Sequence, residues 1–192
     1  MGQVGRIPKE RRQRDVSRAA SRVAILEAAR RVATRDGARD MSLRGVAAEA
    51  GFAPAALYGY FSSKDDLLLA LAADDLTSLA RAMRGTGGLA GAGTAALDLL
   101  RGAETMAAAS AALPGAGGGD AERLFNGRLI AALKALSDAS GMPSDSRESQ
   151  CDVVLVAASL AGLALLARSG RLEALGFSSD EMIARLDARF GA

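Results

Sequence analysis

Gly51 and Pro54 lie three residues apart, with short apolar-patterned stretches on both sides. Glycine at 51 offers a left-handed helix stop, and proline at 54 opens a helix without losing a needed N–H. One helix of about two turns must therefore end and another begin within three residues. The first opens with Ser42 as N-cap and turns Leu43, Val46, Ala47 and Ala50 inward; the second pairs Leu57 with Phe61 at i, i+4. Two short helices joined by a tight glycine-containing turn make a helix-turn-helix, though helical bundles of any purpose contain such joints.

The flanking segments are helical as well. From Ser21, Ile25, Ala29, Val32 and Ala33 recur on one face, and Gly37 supplies the stop. Ser63-Lys64-Asp65-Asp66 reads as a capping-box start, followed by Leu67, Leu68, Leu71, Leu76, Leu79 and Met83 up to a break at Gly85. Glycine-rich stretches at 85–93 and 113–120 interrupt the rest, leaving helices near 93–112, 120–140, 146–169 and 178–190. With 49% hydrophobic but only 4% aromatic residues and no β-alternating run, the fold class expected is all-α, about nine helices built on Ala, Leu, Val and Met. A three-helix helix-turn-helix domain at 18–66 precedes a helical domain at 67–192.

Net charge is +2 overall, but residues 1–64 carry 13 Lys/Arg against 6 Asp/Glu, and residues 65–192 carry 11 against 16. A basic N-terminal third fits contact with an anionic polymer, and a solvated charged face is the alternative. Residues 1–17 are polar, basic and aperiodic, and are expected to be a mobile arm carrying Arg6, Lys9, Arg11, Arg12 and Arg14.

Cys151 is alone, so no intramolecular disulfide forms, and no apolar stretch follows the N-terminal charges; a cytoplasmic location is expected. The run VVLVAASLAGLALLA after Asp152 is shorter than a bilayer span and reads as a buried helix. The chain has no His, no phosphate loop and no metal-ligand spacing, which argues against an enzyme, a cofactor or a metal site. Cys151, with a carboxylate neighbour, reads as a structural thiol rather than a redox sensor.

From Arg22 to Leu68, with AAR at 28–30, DG at 36–37 and LRGVAAEAGFAPAALYGYFSSKDDLL at 43–68, the chain resembles the DNA-binding domain of the TetR family of repressors. The string Leu57, Tyr58, Tyr60, Phe61, Lys64, Leu67 carries the likeness. The resemblance implies that Ser42 and Arg44 meet phosphate and a base edge and that Tyr58, Tyr60 and Lys64 meet phosphates; Pro54, Ala55 and Ala56 are further candidate DNA-binding residues. For the tyrosines ordinary packing is the competing reading, and for Lys64 a solvated surface lysine. Leu43, Val46, Ala47, Phe52, Leu57 and Phe61 are assigned to the core beneath. Two departures matter: Ala53 and Ala56 stand where the family commonly has hydroxyl residues, and Phe52 exceeds the usual Val.

No Arg, Lys, Asn or Gln lies between Pro54 and Tyr60, so bidentate base contacts are unavailable from that helix. Arg44 is then expected to read a base edge, Ala55 and Ala56 to touch thymine methyls, and the arm to enter a minor groove. The resemblance further implies a homodimer through the helices near 146–169 and 178–190, a palindromic operator, and repression relieved by a small hydrophobic or cationic effector. Its cavity would draw on residues such as Leu79, Met83, Met106, Leu113, Phe125, Leu129 and Leu133. A non-specific architectural DNA-binding protein is the alternative.

Overall fold

The computed structural model describes residues 9–102, 108, 119–143 and 145–191. The chain divides into two compact units, Met1–Leu67 and Leu68–Ala192. Among the described residues there are nine helices and no strand: α1 (Lys9–Asp36), α2 (Leu43–Ala50), α3 (Pro54–Leu57), α4 (Lys64–Met83), α5 (Gly88–Gly102), α6 (Asp120–Ser140), α7 (Arg147–Arg168), α8 (Arg171–Ala174) and α9 (Ser179–Phe190).

In the first unit α1 packs on α2, and α2 on α3. Ile25, Ala28, Ala29, Val32 and Ala33 of α1, Val46 and Ala47 of α2, and Leu57 and Phe61 beyond are all buried. Glycines set the stops: Gly37 has φ 86°, and Gly51 has φ 73° with its N–H bonded to the Ala47 and Ala48 carbonyls. On the outside, Glu49 of α2 accepts from Arg31 Nε at 2.8 Å and Arg35 Nη1 at 3.1 Å, tying α2 to the last turns of α1.

The N-terminus corrects the sequence reading. Residues 9–17, expected in a mobile arm, belong to α1. Periodicity missed them because Arg11 to Ala20 are exposed throughout and bury no face. Arg, Gln, Ala, Lys and Glu are good helix formers, and adding them to a helix whose buried turns begin at Ile25 avoids a fresh nucleation cost.

In the second unit α5 is the hub, packed against α6, α7 and α9. It starts at Gly88, five residues earlier than the glycine-rich stretch suggested. The break falls at Gly85 and Gly88, both with positive φ, while Gly91 and Gly93 are helical. Gly93 has a packing reason: a Cβ there would lie 3.3 Å from Ile183 Cγ2 and 3.5 Å from Leu160 Cδ2, so its bare Cα lets α5 approach α7 and α9. At the α5 start, Asp187 Oδ1 accepts from the Ala90 N–H at 3.1 Å. The core includes Leu76, Leu89, Ala96, Phe125, Leu136, Val156, Leu160 and Ile183.

α8 is a one-turn helix that sequence reasoning did not place; Leu172 is its buried anchor. α9 opens with a capping box between Ser178 and Glu181. α7 departs from the expected buried helix: it is long and apolar enough to cross a membrane by length and composition, yet only 28% of its most apolar window is buried. One side, with Val153, Val156, Leu160 and Leu163, joins the core. The opposite side leaves Cys151, Val154, Leu155, Ala158, Gly162 and Leu165 exposed.

Candidate nucleic-acid interface

Ser42 is the N-cap of α2, in extended conformation, with its Oγ accepting from the Gly45 N–H at 3.1 Å. That bond uses the oxygen's lone pairs and leaves the hydroxyl proton available to an acceptor outside. Arg44, two residues on, is exposed.

The turn into α3 is closed by the Phe52 N–H on the Ala47 carbonyl at 2.9 Å. Ala53 is the N-cap of α3 and, having no side-chain acceptor, makes no capping bond; Pro54 fills the first helical position. α3 is one turn long and continues as turns, with Gly59, Tyr60 and Phe61 N–H groups returning to the Ala56 and Leu57 carbonyls. Leu57 and Phe61 fix this segment from below, whereas Ala53, Pro54, Ala55, Ala56, Tyr58 and Gly59 are exposed. Tyr58, at 63% exposure, is the most open aromatic side chain of the unit.

Tyr60 divides between the two readings. It is half-buried, its ring meets Phe52 edge-on at 6.4 Å, and the Arg18 guanidinium lies 5.3 Å from its centroid. Lys64 starts α4, and its Nζ donates to the Arg39 carbonyl in the α1–α2 loop. An ammonium has three donors, so this contact aims Lys64 without exhausting it. The expected capping box at Ser63 forms in altered register: Ser63 Oγ accepts from the Asp66 N–H at 3.1 Å, while Asp66 reaches back to the Ser62 N–H and hydroxyl at 3.0 and 2.7 Å.

Two arginines were not singled out from sequence. Arg18 Nη2 donates to the Gly59 carbonyl at 2.7 Å, pinning the turn between Tyr58 and Tyr60 to α1. Arg22 lies over the Phe61 ring at 4.6 Å. Its pKa is lowered, chiefly by desolvation and further by Arg18, against the opposing charge of Asp66. Neither contact has a local signal; 41 residues separate Arg18 from Gly59. Among the described residues no group of three His, Cys, Asp or Glu side chains is placed to hold a metal ion.

The second unit contains a cavity of about 120 Å³ between α4, α5, α6 and α7. Of the expected wall residues, Leu79, Met83, Leu129 and Leu133 line it, together with Leu76, Leu100, Leu136 and Leu160. Phe125 is not among its walls and belongs to the core, while Met106 and Leu113 lie outside the described residues.

Residues 25–71 match the model of the bacterial regulatory proteins of the tetR family. Over that stretch the chain is similar to the tetR-family regulators, and the matched residues contain the helix-turn-helix. Solved structures extend the likeness to the whole fold. A TetR transcriptional regulator from Rhodococcus sp. RHA1 superposes with a TM-score of 0.71 at 22% identity, covering 91% of this chain and 97% of that one. A TetR-family transcriptional regulator from Streptomyces coelicolor gives 0.60 at 20%, covering 88% and 99%. The regulator FadR from Bacillus subtilis, in complex with stearoyl-CoA, gives 0.60 at 15%, covering 88% and 97%. Comparison with curated proteins returns no match. Shared folds at these identities establish the TetR architecture, an N-terminal helix-turn-helix unit followed by a helical unit.

Proposed function

We propose that the chain is a cytoplasmic, non-enzymatic transcriptional regulator that holds a palindromic operator as a homodimer, represses, and is released by a small hydrophobic effector. The observation that carries the DNA-binding part is the exposed surface running from Ser42 and Arg44 through Pro54, Ala55, Ala56 and Tyr58, backed by the buried Leu57 and Phe61. Ser42, Tyr58 and Tyr60 offer hydroxyls to phosphate oxygens, and Arg44 and Lys64 offer charge whose counterions are released on binding. The helical state of residues 9–20 changes the role assigned to the arm. A helix ~10–12 Å across does not enter a minor groove ~6 Å wide, so Arg11, Arg12 and Arg14 are assigned to phosphates along the groove edge.

The open face of α7 supports dimerisation. Val154, Leu155 and Leu165 are each more than half exposed, and Ala158 and Gly162 between them permit close helix contact; α9 is the second helix assigned to this interface. The cavity favours a hydrophobic over a cationic effector, because its described walls contain no carboxylate and no aromatic ring. Its volume matches a compact ligand, since an apolar cavity of ~150 Å³ accommodates benzene. α4 carries Leu76, Leu79 and Met83 in the cavity wall and Lys64 at its start, so effector binding has a continuous helix through which to shift the binding-competent population.

The second reading, a non-specific architectural protein, is favoured by one observation: α3 exposes no side chain able to make a bidentate base contact. A gel shift on the DNA immediately upstream of the chain's own gene, against scrambled DNA of equal length, separates them. A specific shift that is lost in Tyr58→Ala supports the regulator. Equal binding to both duplexes supports the architectural reading, and no binding to either rejects DNA binding at this locus.

A further inference from the structure

Of the seven residues from Pro54 to Tyr60, only the two tyrosines carry a hydrogen-bonding side chain. Tyr60 is half-buried against Phe52 and Arg18, which leaves Tyr58 as the freely exposed one. The remaining exposed positions, Ala53, Pro54, Ala55, Ala56 and Gly59, present methyl groups, a pyrrolidine ring and bare backbone. This surface is therefore both short and apolar. Nothing longer than a single methyl at 53, 55 and 56 holds the backbone away from a partner. The Arg18 bond to the Gly59 carbonyl fixes the end of the segment, so the surface is presented by a braced turn.

An apolar surface of this kind has one attractive complement in the major groove. Adenine, guanine and cytosine present donors and acceptors there, and a methyl laid against them strips their water without replacing it. Thymine presents its C5-methyl, which loses nothing on contact with another methyl. On the reading of the protein as an operator-binding regulator, we propose that α3 recognises pyrimidine C5-methyl groups, with Ala55 and Ala56 as the specificity-determining residues. The same chemistry accepts 5-methylcytosine in place of thymine, because the methyl occupies the same ring position. The site thus selects a methylated pyrimidine edge, and Arg44 at the start of α2 is left as the exposed donor for any purine contact.

The test uses the full-length chain and duplexes selected by it from a random pool. Each thymine of the selected sequence is replaced in turn by deoxyuridine, which removes only the methyl. One or two positions per half-site are expected to lose affinity about four-fold each, equivalent to ~0.8 kcal/mol for one buried carbon. Cytosine at those positions weakens binding further, and 5-methylcytosine restores it. Ala55→Gly or Ala56→Gly abolishes the sensitivity at one position, so the combined change costs no more than the larger single one. Selection of a defined sequence that binds unchanged when every thymine is deoxyuridine overturns the methyl inference and leaves operator binding standing. Selection of no sequence at all overturns operator binding, and the methyl inference with it.

Discussion

Tyr58→Phe deletes one oxygen from a side chain that is 63% exposed and has no hydrogen-bond partner among the described residues. Folding should hardly register the change, since surface substitutions away from special features stay within about 0.5 kcal/mol. Binding should register it strongly. A hydrogen bond to a charged group contributes about 1.5–3 kcal/mol, and each 1.4 kcal/mol is ten-fold, so the loss is roughly ten- to 150-fold per subunit. A phenol is neutral and displaces no counterion, so the slope of log affinity against log salt is expected to stay constant. Lys64→Met provides the contrast, lowering that slope by about 0.9 per subunit as one phosphate contact disappears. Fluorescence anisotropy on operator duplex over a salt series, with thermal melts of both variants, reads all of these. Unchanged affinity in Tyr58→Phe, or a loss accompanied by a melting shift of several degrees, would refute the assignment of Tyr58 to phosphate.

Ser42→Ala removes the bond to the Gly45 N–H and should destabilise by about 0.5–2 kcal/mol, visible as a lower denaturant midpoint with an unchanged m-value. Glu49 and Asp36 have lowered pKa values, Glu49 through hydrogen bonds from Arg31 and then Arg35, and Asp36 through the two from Arg35. The folded state therefore binds these protons more weakly than the unfolded chain. Their stabilisation is complete above the ordinary glutamate value of 4.5 and disappears as pH falls through the lowered folded values; Glu49→Gln should flatten that acid limb in melts from about pH 5 to 3. Leu155→Glu places a charge in the open face of α7 and should give a monomer by sedimentation with helical content unchanged, whereas a persistent dimer would move the interface elsewhere.

Local chemistry made much of the first unit legible. Gly37 and Gly51 end helices because they adopt the left-handed conformation, Ser42 caps α2, and Pro54 opens α3. Each of these signals lies within a few residues of its effect. The extension of α1 to Lys9 carries no such signal, since its exposed residues have no periodicity to read. Arg18 on Gly59, Arg22 over Phe61 and Lys64 on Arg39 are contacts between distant positions, fixed only once α1 lies beside the turn. In the second unit glycine misled: Gly93 looked like a helix breaker, but it is the point where Ile183 and Leu160 come closest to α5. The cavity was half legible, because apolar residues at helical spacing serve a wall and a core alike; Leu79, Met83, Leu129 and Leu133 face space, whereas Phe125 fills it.

The proposed function holds DNA on the surface formed by residues 42–64. Hydrogen–deuterium exchange of the full-length chain, with and without its selected duplex, tests this most directly. Slowed exchange concentrated at residues 42–64, with the α7 and α9 amides unaffected by DNA, is the predicted result. Protection confined to residues 68–192, or none in the presence of saturating duplex, would contradict it.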